Sequence, residues 1–587
     1  MRRVAVVVVA ALALAACGSG DDDATDDVDD TVEDTASGDD AGDDGDDGDD
    51  GAGDDGAGDD EPSDDSDADD TTDAGGDDGG DDAVGERSIN IQLYQGPSSF
   101  SPLLAATGPN GLMQQIHWDA LVGLGGETDY VGRLAESWDV SDDATTWTFN
   151  LRDDVRWSDG EQFTADDVVF TFEALSNPAT GSGNTGKFSN VAGHAEFVAG
   201  EADNISGFTA PDDFTFQIEL LAPNSAYMVD MVEPLIPILP EHVVSQLPVE
   251  GLAENQFFRE PTVGIGPYIF SRWLSDDQVE FVANPEFRDE LGLDTVYTTF
   301  LATDVAQAQL ETGEIDYTQV SAVDLERVSG IDGVTVHSVD GPSIAALHTA
   351  WDTKTELVQP QVRQAMMHAI DRQAIVDSVI AGEGDVINTM AFGPDWAVPD
   401  GLNEYPYDPE KAQELLAEVG WDSDTEVTIE IVPGQTDRDQ VVTIVAGQLQ
   451  AVGINAVVEP MDGTAMGSDI GDRNFDLLMS IYGLFNADPA AMGFRLACAQ
   501  GNGGGNLSNY CNPELDELLA AGVATTDQDE RAAIYADAQK IVNEELPVIL
   551  LYSPRTISAT SDRLEGYVAS PIPTQAFWNI AEWSVSG

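Results

Sequence analysis

LAESWDVSDDATTWTFNLRDDVRWSDGEQFTADDVVFTFE, residues 134 to 173, strings a strand, a turn and a helix start together in one dense pattern. Trp147, Phe149 and Leu151 alternate with Thr148, Asn150 and Arg152, the period of two of a strand with one buried face. Ser158, Asp159 and Gly160 follow Val155 and Trp157 as turn formers. Thr164, with Asp167 three residues later, reads as an acidic N-cap in front of Val168, Val169 and Phe170. Trp138, Trp147 and Trp157 are expected in a core.

Similar alternation of strand and helix patterns continues outward in both directions, which predicts an α/β architecture. Ile89, Ile91 and Leu93 form a strand ending at Tyr94-Gln95-Gly96-Pro97, and residues 110–122 read as a helix. The stretch 261–287, PTVGIGPYIFSRWLSDDQVEFVANPEF, places Gly264 and Gly266 one residue apart before a strand. With no third glycine and no following helix, it is not a dinucleotide loop. Residues 301–316 read as a helix stopped at Gly313, and 343–352 as an apolar strand. VRQAMMHAIDRQAIVDSV, residues 362–379, has apolar residues at helical spacing and a stop at Gly382. KAQELLAEVGW ends a further helix at Trp421, the strand of Val427, Ile429 and Ile431 follows, and another strand over 475–482 runs into GLFNADP.

Taken as an ordered series, these segments resemble the extracytoplasmic solute-binding proteins of family 5, the peptide-binding and nickel-binding group. The resemblance rests on 134–173, on GIGPY with Trp273 and Asn284, on the 362–382 segment, and on NLSNYCNPELDELL and DERAAIYADAQKIVNEELPVILLY, and it covers essentially all of 88–587. Two departures stand out, Ile265 where relatives carry Thr and Asp352 where they carry Asn. The resemblance implies a two-lobed fold of the periplasmic-binding-protein kind (type II, cluster C), whose lobes close over a solute for a membrane permease of an ABC importer. Lobe I is expected over 88–345 and 553–587, lobe II over 346–552, with a hinge near 345–352 and 547–555.

Arg2 and Arg3 precede an apolar run of 13 residues and Leu14-Ala15-Ala16-Cys17. The run is shorter than the roughly 17 residues a bilayer core requires, so it reads as a lipoprotein signal with Cys17 as the lipidated residue. The alternative is an ordinary secretory signal with an incidental cysteine; either way an extracytoplasmic location is expected. Residues 18–87 hold 33 acidic residues against one basic and no aromatic, a composition that cannot bury a core and predicts a self-repelling tether. The DDGDDGDDG run lacks the spacing of a calcium loop. Of the net charge of −89, −59 falls on residues 88–587. With 22 Lys and Arg in all, no basic face of nucleic-acid type can be assembled. A monomer without cofactor or metal is expected.

Cys498 and Cys511 flank the Gly-rich GNGGGN, and a loop-closing disulfide is the expectation in an exported chain; a metal pair, lacking nearby His, is the rival. No G-x-S-x-G and no H-E-x-x-H occurs, and the six His stand singly, His368 among them as a packing residue. Carboxylates are so numerous that a glycosidase-like pair carries little weight. Ligand capture is therefore expected rather than turnover. A sensor that docks on a receptor and a secreted glycan hydrolase are the alternatives. In FNADP, Phe485 stands where peptide-binding relatives often carry an Asp for the ligand's free ammonium, so Asp488 is the nearest substitute carboxylate. Phe485 reads equally as a stacking residue or as loop packing. Tyr94, Gln95, Trp396, Tyr482 and Asn486 complete the candidate ligand-binding set.

Overall fold

Strand Thr146–Leu151 buries Trp147, Phe149 and Leu151, and lies between Ala135–Val140 and Thr215–Glu219 in a four-stranded antiparallel sheet whose far edge is Phe208–Asp212. Thr164 caps helix Ala165–Ser176 in the expected capping box, with Thr164 N–H donating to Asp167 Oδ2 at 3.0 Å. The structure, a computed structural model, describes residues 87–586 except 98, 105–107, 127–128, 233–235, 276, 352–355, 391–394, 484–487 and 501–504. The signal segment with Cys17, the acidic tether through residue 86, Asp352, Phe485 and Asn486 lie outside the described residues.

Two larger sheets carry most of the remaining strands, and two short two-stranded sheets the others. The first is a mixed seven-stranded sheet ordered Val334–Val339, Thr556–Ser561, Tyr317–Gln319, Ser88–Leu93, Thr295–Phe300, Gln278–Ala283, Tyr268–Ser275. The second is a mixed six-stranded sheet ordered Gly384–Val386, Val548–Pro554, Ser343–Thr349, Leu477–Gly483, Glu426–Ile431, Asn455–Pro460. The chain passes between them at residues 340–342 and again at Arg555, so strands Ser343–Thr349 and Val548–Pro554 lie within the second sheet and Thr556–Ser561 makes the return. Separate apolar cores sit under the sheets: one around Trp147, Trp157 and Phe172, one around Ile91, Phe100 and Trp583, and one around Leu347, Met366 and Ile549. This is a two-lobed fold of mixed sheets and flanking helices.

The motif residues turn out to be structural supports. Gly264 and Gly266 sit where a Cβ would come within 2.6 Å of His117 Cε1 and of Ile116 O, so only glycine lets this turn press on the end of helix Pro109–His117. That helix stops at His117, short of the expected 122, because Trp118 is already extended and Val122–Leu124 pairs as a strand. Asn284 Nδ2 donates to Gly266 O at 2.9 Å, and Ile265 is buried as plain core. The 362–379 run is two helices, Pro360–Ala369 and Arg372–Ser378. Apolar spacing alone hid the break: Ile370 is extended and Asp371 caps the second helix by accepting the Ala374 N–H at 3.0 Å. Both arginines of this run are buried. Arg363 donates to Glu545 O and Leu357 O, and Arg372 to Ile387 O, Glu404 O and Tyr405 O, so each guanidinium ties separate segments together through main-chain carbonyls. Burial pulls both down to about 10.

Candidate functional site

Asp488 stands just after the strand Leu477–Gly483 and the undescribed residues 484–487, at the start of a short helical turn whose Ala490 N–H donates to its carboxylate at 2.9 Å. Arg531, in the first turn of helix Gln528–Glu545, donates to the same carboxylate at 2.7 Å. Arg531 Nε also donates to Gly522 O at 3.0 Å, and its guanidinium lies 5.5 Å from the ring centres of both Trp396 and Tyr535. One cation therefore gathers Asp488, Trp396 and two helices into a single cluster. Both partners of the ion pair are largely enclosed, with side-chain exposures of 11% and 16%, so the pair is shielded from screening salt.

Tyr482 lies on the neighbouring strand. Its ring packs 5.1 Å from His348 with the Arg495 guanidinium 4.6 Å away, and its buried hydroxyl has no hydrogen-bond partner among the described residues. A buried phenol without a partner is costly unless something else accepts from it. Burial pushes the Tyr482 hydroxyl up, and pulls the His348 imidazole down to about 3 with Arg495 adding to the effect, so His348 is a neutral support.

Tyr130 faces this cluster from the other lobe. It is held by the hairpin of Val122–Leu124 and Tyr130–Gly132, where Leu124 pairs with Tyr130. Burial raises its phenol, Asp488 adds to the rise and Arg531 opposes it, so groups of both lobes share one electrostatic neighbourhood. The lobes also meet where Ser225 N–H donates to Val523 O at 2.7 Å. Of the expected residues, the fold brings Trp396 and Asp488 together through Arg531 and sets Tyr482 on the adjacent strand. Tyr94 and Gln95 are exposed at the end of Ser88–Leu93, away from any described tie to that cluster; Tyr94 instead lies against Gly108. Sequence reading missed Arg531 and Tyr130. The scarcity of cations in an acidic body was a signal for Arg531, whereas nothing local marks Tyr130.

Residues 129–504 match the family model described as bacterial extracellular solute-binding proteins, family 5 middle. The chain belongs to that family. A protein of Brucella ovis provisionally named as an ABC transporter peptide-binding protein is 30% identical to this solute-binding protein over 492 residues, covering 82% of this chain and 89% of its own. Heme-binding protein A of Haemophilus influenzae is 28% identical over 509 residues, covering 83% and 91%. Among solved structures, the oligopeptide-binding protein AppA of Bacillus subtilis, in complex with a nonapeptide, shares the fold with a TM-score of 0.71 at 22% identity, covering 86% of this chain and 100% of its own. This solute-binding protein is not an enzyme: it works outside the cytoplasm, capturing a solute and delivering it to the permease of an ABC importer. No helix among the described residues is long and apolar enough to cross a membrane. Cys498 and Cys511 are joined as a disulfide, closing the loop between them.

Proposed function

We propose that the solute is a short peptide or a similarly sized peptide-like molecule, enclosed between the lobes beside the Asp488–Arg531 pair. The observation that carries this reading is that the lobes meet at this ion pair: Ser225 N–H donates to Val523 O at 2.7 Å, one residue from Gly522, whose carbonyl accepts from Arg531 Nε. A solute held there contacts both lobes and favours the closed arrangement, as differential binding requires. Peptide-binding names among the relatives point the same way. Trp396 and Tyr482 supply aromatic faces, the free Tyr482 hydroxyl supplies a hydrogen bond, and Phe485, Asn486, Tyr94 and Gln95 complete the proposed contact set.

Lobe I, expected over 88–345 and 553–587, is drawn in to 88–342 with 555–587 and lobe II widened to 343–554, with the hinge at the two links between the large sheets, because Ser343–Thr349 and Val548–Pro554 both pair within the second sheet. Arg555 Nε donates to Asp340 at 2.7 Å and Ser553 Oγ to Gly341 O at 3.0 Å, so the two links are tied to each other and bend as a unit. Lipidation at Cys17 anchors the protein to the cell membrane as a monomer on an acidic tether. Small-angle scattering with and without a tripeptide pool tests the reading: binding should compact residues 88–587. A tight complex with an unchanged profile overturns the two-lobe closure, and native mass spectrometry showing a non-peptide solute carried through purification overturns the ligand class. Globomycin-sensitive processing of the leader tests the anchor.

A further inference from the structure

Beside the hinge the two lobes touch through side chains that take no part in either sheet's own pairing. Strand Val334–Val339 is an outer strand of the seven-stranded sheet, and Gly384–Val386 an outer strand of the six-stranded one. Ser338 Oγ of the first donates to Glu383 Oε2, on the residue that leads into the second. Arg555, on the return link, closes on the same glutamate. Its N–H donates to Glu383 O at 3.1 Å and its Nη1 lies 3.9 Å from Glu383 Oε2, while its Nε holds Asp340 of the other link at 2.7 Å. One carboxylate therefore reaches both a lobe I strand and the guanidinium that joins the two links. The turn that presents it is strained: Ala381, with φ of 54°, stands in the left-handed region that alanine rarely adopts, next to Gly382 at φ of 81°. Gly382 N–H donates to Val376 O at 2.9 Å and Glu383 N–H to Ile380 O at 2.8 Å, and the following Gly384 and Asp385 pair with Pro554 and Ser553. Glu383 is thus fixed to lobe II, with a side chain only 16% exposed.

We propose that Glu383 is a positioning residue for solute capture: a latch whose bond to Ser338 holds the lobes in their closed arrangement, so that the protein itself supplies part of the free energy of closure. The inference rests on the two-lobe closure proposed above and not on the class of solute. In the arrangement described, the lobes touch at two separate places, Ser225 N–H on Val523 O and Ser338 on Glu383. Ser338 is registered on Ile557 of its own sheet and stays with lobe I, whereas Glu383 travels with lobe II. Any rotation about 340–342 and Arg555 therefore moves one against the other and breaks the bond. A hydrogen bond to a carboxylate is stronger than one between neutral groups, so its loss on opening favours the closed state. Apparent affinity scales with the fraction of protein in the competent arrangement. A latch of this kind strengthens binding of every solute by the same factor and selects among none of them. That separates Glu383 from Trp396 and Asp488, whose effects depend on what lies against them.

The test uses the full-length protein, with small-angle scattering of the solute-free state and titration with two tripeptide pools, one uncharged and one basic. Ser338→Ala and Glu383→Ala should each enlarge the solute-free radius of gyration and weaken both pools by one common factor, about three- to tenfold. Glu383→Gln keeps an oxygen that accepts from Ser338 and should restore most of both readouts. In the double variant Ser338→Ala/Glu383→Ala the loss should equal that of one substitution, not the product of two. Ser338 is exposed on its strand, so Ser338→Ala keeps the test open if Glu383→Ala misfolds. Wild-type dimensions and affinity in the alanine variants overturn the latch. Weakening confined to one pool overturns it too, by making Glu383 a solute contact, and so do multiplicative losses in the double variant, which would mean that the two residues act apart. If neither pool binds wild type, the peptide reading fails while the scattering of the solute-free variants still decides the latch.

Discussion

Two aspartates beside tryptophans show how differently the same pair of residue types is used. Asp167, in the first turn of Ala165–Ser176, accepts from Thr164 N–H, from Glu241 N–H at 3.0 Å and from Trp157 Nε1 at 3.3 Å, all neutral donors within lobe I. Asp488 instead takes a charged donor, Arg531, beside Trp396, and its field extends to Tyr130 of the opposite lobe. Asp167 ties a helix start, a turn and a distant segment into one rigid body. Neutral saturation makes a joint, whereas a charged pair under an aromatic face, open to a second lobe, makes a surface whose energy depends on what approaches it.

The comparison breaks most easily at Asp167. Asp167→Ala strands two backbone N–H groups and an indole N–H in the core, and should cost about 3–5 kcal/mol of stability with solute affinity unchanged below the melting temperature. Denaturant unfolding checks the first part and calorimetric titration the second; a change in affinity would make the joint part of the site. The Cys498–Cys511 bond closes a loop of about 14 residues just after Asp488, and replacing both by Ser should remove roughly 3 kcal/mol on the chain-entropy account. If solute binding weakens in step, the Asp488 region is ordered by its covalent tie as well as by Arg531. Arg531→Met leaves Asp488 without its cation and should cost about 1–3 kcal/mol in thermal unfolding, less than Asp167→Ala because the pair keeps some solvent. Here affinity must change too. An Arg531→Met protein that binds solute like wild type would reduce the pair to a second joint.

Much of the joint is legible in the sequence, because it is local. The alternation of Trp147, Phe149 and Leu151 and the three-residue spacing from Thr164 to Asp167 need only neighbours in sequence, and both form as read. The break at Ile370 was hidden because apolar spacing runs through it, while Ile370 turns extended, Asp371 starts a new helix by capping Ala374 N–H, and Arg372 turns inward onto main-chain carbonyls. The cleft was legible only in part. Trp396, Tyr482 and Asp488 were found from their place in the series, but Tyr130 is brought to the site by the hairpin of Val122–Leu124 and Tyr130–Gly132. No local pattern says that Arg531 will neutralise Asp488.

Acid reads both regions at once, through two histidines. His117 underlies the turn at Gly264, which exchanges hydrogen bonds with Ser158 of the 134–173 segment; its Nδ1 accepts from Phe270 N–H at 3.0 Å, and burial pulls it down to about 3. His348 lies under Tyr482 with the same downward shift. Between their ordinary value and about 3, the unfolded chain binds a proton at each that the folded chain refuses. The unfolded state therefore gains protons, and stability falls as pH drops through this window by up to about 1.4 kcal/mol per pH unit for each histidine. Asp230 works in the opposite sense: its raised folded value makes the folded state the better proton binder between the ordinary carboxylate range and about 6, so its own contribution grows on acidification. Urea unfolding from pH 7 to pH 4 should show a net loss, flattened in His117→Gln and again in His348→Gln, and steepened in Asp230→Asn because the opposing group is gone. If His348→Gln flattened the slope only while solute was bound, the histidine beneath Tyr482 would belong to the responsive surface rather than to the rigid frame under it.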